Sequence, residues 1–304
     1  MLRTGARAGV RALAVSGVLA VVSSGCQAQS SIVPAHDSDP VVVIETASFG
    51  ESEIIGHIYG NALTRSGTRV TQRPRSGTQA EVVEAVTTGD ATFTIGFTGE
   101  LLRMFDPGST AVEADEVYAA MMASLPEGVT AADPAPAEDA PVYVVTRHTA
   151  EVFGLRSMSD LAGRCGEFTL GARAEALADR ELAGAVGDTY DCGFGRRVAL
   201  GPSPRVVFEA LRAGEIGVGL VQSADPILDP DDMVPLDDDK DAIPAQNVVP
   251  VFRKGSLSED GLALVNRISG ELTTEDVREL LLGVEFGSAT PVSLANYWLD
   301  SHGY

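Results

Sequence analysis

Val41 to Thr46 (VVVIET) is a continuous apolar run, and the residues after it change period at once. A strand without alternation is one covered on both faces, the usual condition inside a parallel sheet. Ser48 and Glu51 stand at capping-box spacing, so a helix is expected to start there. Ile54, Ile55, Ile58, Tyr59, Ala62 and Leu63 then recur at helical spacing and give that helix one apolar face. The same sentence is repeated along the chain. Val70 to Gln72 reads as a short strand and Ser76-Gly77-Thr78 as a turn. Thr78 and Glu81 form a second capping box, and Gly89 ends that helix. Ala91 to Phe97 is a third strand, with Phe93, Ile95 and Phe97 on one side. Strand and helix alternate, which specifies an α/β fold with a largely parallel sheet. Ligands of such sheets sit outside the carboxyl ends of the strands. Ala47 to Gly50, Ser76 to Thr78 and Phe97 to Glu100 are therefore expected around one crevice.

A Pro/Ala/acid-rich loop, Ala131 to Pro141, separates this run from a second. Strands are expected at Val142 to Thr146, Glu167 to Leu170, Arg196 to Leu200 and Ile216 to Val221. Helices are expected to open at Ser157 to Ala162, to span Arg173 to Val186, and to span Pro204 to Ala213. The acidic loop Asp229 to Asp241 leads to a strand at Val248 to Phe252. The C-terminal part reads as helical: Leu262 to Ser269, Thr274 to Leu282 and Val292 to Leu299, with Thr273 or Thr274 as a cap.

Charge excludes one class of function. The 304 residues carry 22 basic and 43 acidic side chains, a net of −21. A field of that sign repels phosphate backbones, so nucleic acid is not an expected partner. The first 25 residues read as a signal peptide. Arg3, Arg7 and Arg11 form a basic start, Ala12 to Val22 is too short to span a bilayer, and small residues lead to Cys26. Ser23-Ser24-Gly25-Cys26 resembles the lipobox of bacterial lipoproteins, with Ser23 where an aliphatic residue is usual. The resemblance implies lipidation of Cys26 and an anchor on the outer face of the cytoplasmic membrane; plain secretion with Cys26 near the cut is the alternative. Loss of the three arginines takes the charge to −24. Residues 26–39 are a polar tether. Cys165 and Cys192 remain, an even number in an oxidising compartment. A disulfide between them closes a loop of about 28 residues and contributes on the order of 3 kcal/mol.

Enzymatic signatures are missing: no Gly-x-Ser-x-Gly elbow and no P-loop. No Cys-x-x-Cys or His-Glu-x-x-His occurs, so neither metal nor cofactor is expected. The acidic loop lacks the glycine and terminal glutamate of an EF-hand and reads as a solvated charge run. His57 and His148 read as structural.

Four passages resemble the substrate-binding proteins of glycine betaine, choline and carnitine ABC importers, the osmoprotectant class with the type II periplasmic-binding-protein fold. Thr46-Ala47-Ser48-Phe49-Gly50-Glu51 is similar to that family's Gly-Ser-Lys-x-Phe-Thr-Glu. Gly77-Thr78-Gln79 matches its glycine-threonine turn, and Phe97-Thr98-Gly99-Glu100 its Tyr-Thr-Gly-Thr. Asp238-Asp239-Lys240 with Ile243-Pro244-Ala245-Gln246-Asn247-Val248 resembles its Asp-Asp-Lys followed by Phe-Pro-Pro-Tyr-Asn-Val. Gly154-Leu155 with Ser159-Asp160-Leu161, and Ser269 to Thr273, also fit, so the likeness runs in order over about residues 41 to 300. It implies two lobes joined by two hinge strands with a ligand cleft between them: residues 40–142 with 248–304, and residues 143–247. It also implies a monomeric, non-enzymatic protein that binds a small molecule and meets ABC permease subunits. A lipid-anchored sensor or assembly protein that kept the fold without transport is the alternative.

The same resemblance implies a ligand set of Ser48, Phe49, Thr78, Phe97, Thr98, Glu100, Tyr143, Gln222 and Gln246, and here the sequence departs from the family. Tyrosines that box a quaternary ammonium by cation–π attraction fall on Phe97, Pro141 (with Tyr143 two residues on), Gln222 and Gln246. The carboxylate-holding lysine falls on Ala47, and a threonine falls on Glu100. Each lost aromatic face removes roughly 0.5 to 2 kcal/mol of attraction for trimethylammonium. Glu100 repels a ligand carboxylate, while glutamines suit hydroxyl, amide and carbonyl groups. The expected ligand is a neutral or cationic solute rich in hydrogen-bonding groups, not glycine betaine.

Overall fold

The structure, a computed structural model, describes residues 41–74, 76–226, 231–287 and 289–304. The leader, the tether with Cys26, and Asp229 of the acidic loop lie outside the described residues. Two five-stranded sheets organise the chain. The first contains β1 (Val42–Ile44), β2 (Val70–Gln72), β3 (Phe93–Phe97), β4 (Val129–Ala131) and β10 (Val248–Arg253), in the order β2-β1-β3-β10-β4. The second contains β5 (Pro141–Thr146), β6 (Thr169–Arg173), β7 (Arg196–Leu200), β8 (Val218–Gln222) and β9 (Met233–Pro235), in the order β7-β6-β8-β5-β9.

Both sheets follow one plan. Three strands run parallel: β2, β1 and β3 in one sheet, β7, β6 and β8 in the other. The fourth is antiparallel, β10 against β3 and β5 against β8. β4 and β9, each antiparallel to that reversed strand, run with the other three, so each sheet is largely parallel as expected, with one strand reversed. The reason is topological: β5 and β10 are the strands by which the chain crosses between sheets, so each enters from the far side.

Helices cover both faces. On one face of the first sheet, α1 (Gly50–Arg65), α10 (Glu259–Glu271), α11 (Thr274–Glu285) and α12 (Pro291–His302) bury Ile54, Ile58, Val265, Leu280 and Trp298 against Ile44, Phe93 and Ile95. On the other, α2 (Gln79–Thr88), α3 (Thr98–Phe105) and α4 (Ala114–Ser124) bury Val83, Leu101 and Met121 against Val249 and Val251. This double cover explains the unbroken apolar strands. Gly56 lets α1 lie on β1: a Cβ there would come within 2.4 Å of the Thr46 methyl.

In the second lobe, α5 (Arg147–Phe153), α6 (Met158–Leu161), α7 (Ala174–Ala178), α8 (Arg180–Tyr190) and α9 (Pro204–Arg212) accompany the sheet. Cys165 and Cys192 form a disulfide with Cα atoms 5.3 Å apart. They precede the neighbouring parallel strands β6 and β7, so the pairing of those strands sets their cysteines side by side.

Several local expectations are corrected. Ser48 does not cap α1; Phe49 occupies that position without a side-chain bond. The Ser48 amide instead donates to Gly77 O, which ties the β1 end to the next turn and delays the helix to Gly50. Ser52 takes over locally, its hydroxyl accepting from the Ala47 amide at 3.0 Å. The strand expected at Glu167 to Leu170 begins at Thr169, because Cys165–Glu167 forms a 3₁₀ turn. The helix expected over Arg173 to Val186 is two helices, divided where Asp179 caps α8. The Thr78–Glu81, Ser157–Asp160 and Thr273–Asp276 boxes are formed. Among the described residues, no helix is long and apolar enough to cross a membrane.

Candidate functional site

The two crossings lie side by side, Glu138 bridging Asn247 in antiparallel register. Asn247 fixes this junction: its amide side chain donates to Ala135 O, and its main-chain N–H donates to the Thr98 hydroxyl. Thr98 in turn donates to Ala245 O. The Thr98 hydroxyl is thus fully engaged in holding the start of α3 to the return crossing, and the residue is completely buried.

Around this junction the first lobe presents the N-termini of α1, α2 and α3, which are the carboxyl-end loops of its strands. Ser48 and Thr78 are exposed, and the Thr78 hydroxyl accepts from the Glu81 amide as the cap of α2. Phe49 and Phe97 stand with ring centres 6.1 Å apart, and Phe97 is only 6% exposed because its ring belongs to the lobe's core. Glu100 is half-buried; burial raises its carboxyl above the ordinary range, with Arg103 opposing. Its amide donates to Gln246 Oε1 at 3.0 Å. Gly99 makes that approach possible, since a Cβ would lie 2.6 Å from Gln246 Nε2 and 2.7 Å from Ala245 O.

The second lobe contributes the ends of β6 and β8 and the start of β5. Tyr143 is buried and stacks on Phe194 at 5.9 Å between ring centres; burial pushes its hydroxyl up to about 12. Gln222 is half-buried, and its main-chain N–H donates to Asp225 Oδ2 at 2.8 Å. The Gln222–Asp225 turn is pinned to the outgoing crossing. Ser223 Oγ accepts from the Ala140 amide and donates to Glu138 O, and the Ala224 amide donates to Asp139 Oδ1.

This arrangement brings forward residues that the sequence reading passed over. Glu51, read as half of a capping box, shares an electrostatic neighbourhood with Asp139 and Asp225. All three carboxyls are raised, first by burial. For Asp139 the charges of Glu51 and Asp225 add to this, and the shift is large. Glu51 is raised further by Asp225, and Asp225 by Glu285, while the Gln222 main-chain N–H pulls Asp225 down. Arg173, at the end of β6, lowers all three through space. Its guanidinium makes no ion pair or hydrogen bond with a described residue. Among the described residues no three His, Cys, Asp or Glu side chains converge closely enough to hold a metal ion. Of the expected set, Phe97, Thr98, Glu100 and Gln246 come together on α3 and the return crossing. Gln222 joins the carboxylates from the second lobe.

Residues 40–301 match the family model described as the substrate binding domain of ABC-type glycine betaine transport systems. The chain belongs to that family. Its members are solute-binding proteins, not enzymes. The fold is shared with solved structures. One, described as a glycine betaine/carnitine/choline ABC transporter, has a TM-score of 0.77 at 21% identity, covering 86% of this chain and 99% of that one. Apo YehZ from Escherichia coli has a TM-score of 0.71 at 20% identity, covering 86% and 98%. Lactococcal OpuAC, closed on glycine betaine, has a TM-score of 0.60 at 16% identity, covering 86% and 96%. At these identities the likeness is one of fold: two lobes with a cleft between.

Proposed function

We propose that this member of the glycine betaine family is an extracytoplasmic, lipid-anchored binding protein. It delivers a cationic or neutral hydrogen-bonding solute, rather than glycine betaine, to an osmoprotectant-type ABC importer. The observation that carries the reading is the carboxylate set at the lobe junction, Glu51, Asp139 and Asp225, with Glu100 a further half-buried carboxyl at the start of α3. Removing carboxylates from water raises their cost as anions, and a bound cation offsets it. A solute with N–H donors satisfies them better than a trimethylammonium group, which has none to give. The carboxylate of glycine betaine meets Glu100 rather than a lysine or threonine donor. Phe97 supports the reading from the other side, because a ring 6% exposed offers little face to a quaternary ammonium.

Calorimetry on the processed protein tests this with glycine betaine, choline and a series of primary and secondary amines carrying hydroxyl or amide groups. The expected result is binding in the amine series, weakened tenfold or more in Glu51→Gln, and no measurable heat with glycine betaine. Tight glycine betaine binding returns the protein to the ordinary osmoprotectant class.

A further inference from the structure

Two ion-pair groups join elements carried by different sheets. Arg103, on α3 of the first lobe, places Nη1 3.0 Å from Asp179 Oδ2 and 3.4 Å from Glu181 Oε2, both at the start of α8 in the second. Arg205, at the start of α9 in the second lobe, places Nε 3.6 Å from Glu285 Oε1 at the end of α11 in the first. The Arg205 guanidinium also lies 5.6 Å from the ring centre of Phe286. These contacts occupy opposite flanks. Helices α3 and α11 pack on opposite faces of the first sheet, and α8 and α9 on opposite faces of the second. A contact on one flank alone lets the lobes swing about it. Contacts on both flanks fix the angle between them.

The Arg103 partner is built for this position. Asp179 uses Oδ1 to cap α8, accepting the Glu181 and Leu182 amides at 3.0 Å each, and turns Oδ2 to Arg103. The cap holds the carboxylate in one rotamer, so the bridge orders one long side chain rather than two. Arg103 stands one turn after Glu100, whose amide is bonded to Gln246 of the return crossing. The bridge is thereby joined rigidly to the cleft floor through α3.

We propose that Arg103 with Asp179 and Glu181, and Arg205 with Glu285, are electrostatic latches that hold the two lobes closed without a solute between them. The proposal goes beyond the functional reading, since it concerns the empty protein and is indifferent to which solute the cleft takes. Both arginines are about half exposed, so each latch is a salt-screened contact of modest strength. Together they shift a balance between open and closed forms rather than lock it.

Small-angle scattering of the processed, solute-free protein tests this across salt, from about 0.02 to about 0.5 M, over which screening shortens the electrostatic range severalfold. The wild type is expected compact at low salt and expanded at high salt. Arg103→Ala should raise the open-to-closed ratio by about two- to fivefold at low salt, the upper part of the range for an exposed ion pair. Asp179→Asn should do the same in smaller measure, since Glu181 still faces Arg103, and should remain folded because asparagine caps a helix as well as aspartate. The double variant should open little further than Arg103→Ala alone, which already removes both contacts. Arg205→Ala reads the second flank in the same way. A solute-free wild type already open at low salt overturns the proposal. So does an Arg103→Ala protein, folded by circular dichroism, that stays as compact as wild type.

Discussion

Gln246 Oε1 accepts the main-chain hydrogen of Glu100 at 3.0 Å, so one side chain of the return crossing holds the first turn of α3. The sequence reading assigns this glutamine to ligand recognition in place of an aromatic. The geometry adds a structural duty, because half of its amide is committed within the protein.

That commitment makes Gly99 a sensitive position. Gly99→Ala drives a methyl into Gln246 Nε2 and the fixed carbonyl of Ala245, and only the side chain has freedom to withdraw. Overpacking of this kind costs about 1–3 kcal/mol. The expected result is a melting temperature lower by about 2–4 °C for each kcal/mol, with weaker solute binding. Gln246→Ala, which leaves the Glu100 amide without its partner, should lose about 1 kcal/mol of stability. Its solute affinity should fall roughly tenfold, for the unpaired-group penalty on the ligand side. Differential scanning calorimetry with titration of each variant checks both. Wild-type melting in Gly99→Ala would show that the contact yields freely.

Cys165 and Cys192 are 1% and 6% exposed, and their bridge ties the starts of β6 and β7 together. Native protein should therefore show no titratable thiol among these two, and two after denaturation with reductant. Replacing both by alanine should lower unfolding free energy by about 3 kcal/mol, the entropy of a loop this size. Unchanged denaturant midpoints in the double variant would count against any stabilising role.

The basic leader and the Gly25-Cys26 junction lead to a test of the anchor. Wild-type protein expressed in a bacterial host should partition with detergent and with membranes, while Cys26→Ser should be released or remain unprocessed. Wholly aqueous partitioning of the wild type would leave secretion without lipid as the reading.

The sequence made the regular parts of this fold legible because their signals are local. Thr78–Glu81 and Thr273–Asp276 satisfy their own helix ends, and Val248 to Phe252 is apolar on both faces. Ser48 failed as a cap for a non-local reason: its amide is claimed by Gly77, twenty-nine positions away in the chain. The sequence analysis assigned no elements between Leu101 and Ala131, where most of α3 lies with α4 and β4, packed through Leu101, Val117 and Met121. The carboxylate set was invisible for the same reason as Ser48. Glu51, Asp139 and Asp225 lie far apart in sequence, and only the crossing strands bring them together. Glu51 also carried a competing local explanation as a helix-start residue.

Those carboxyls yield a pH dependence with a definite sign. Asp139 is held well above the ordinary aspartate range by burial and by the charges of Glu51 and Asp225, with Asp225 and Glu51 also raised. A folded state that binds a proton more tightly than the unfolded chain gains stability on acidification. This contribution is fully present below the unfolded value near 3.8 and is lost as pH rises through the raised folded value. Glu81, Asp160 and Asp179 are lowered instead, so their contributions persist down to the ordinary carboxylate range and fail only below it. Solute-free protein should therefore melt higher near pH 5 than at pH 7. Asp139→Asn removes the buried charge while its carbonyl still accepts from the Ala224 amide. That variant should melt higher than wild type at pH 7, by about 2–4 °C for each kcal/mol recovered, and by less at pH 4, because acidification neutralises the raised Asp139 carboxyl first in the folded protein. It should also bind a cationic solute more weakly at pH 7, having surrendered one of the charges that attract it. An equal gain in melting temperature at both pH values would mean that packing, not protonation, distinguishes the variant, and the electrostatic account of the junction would fall.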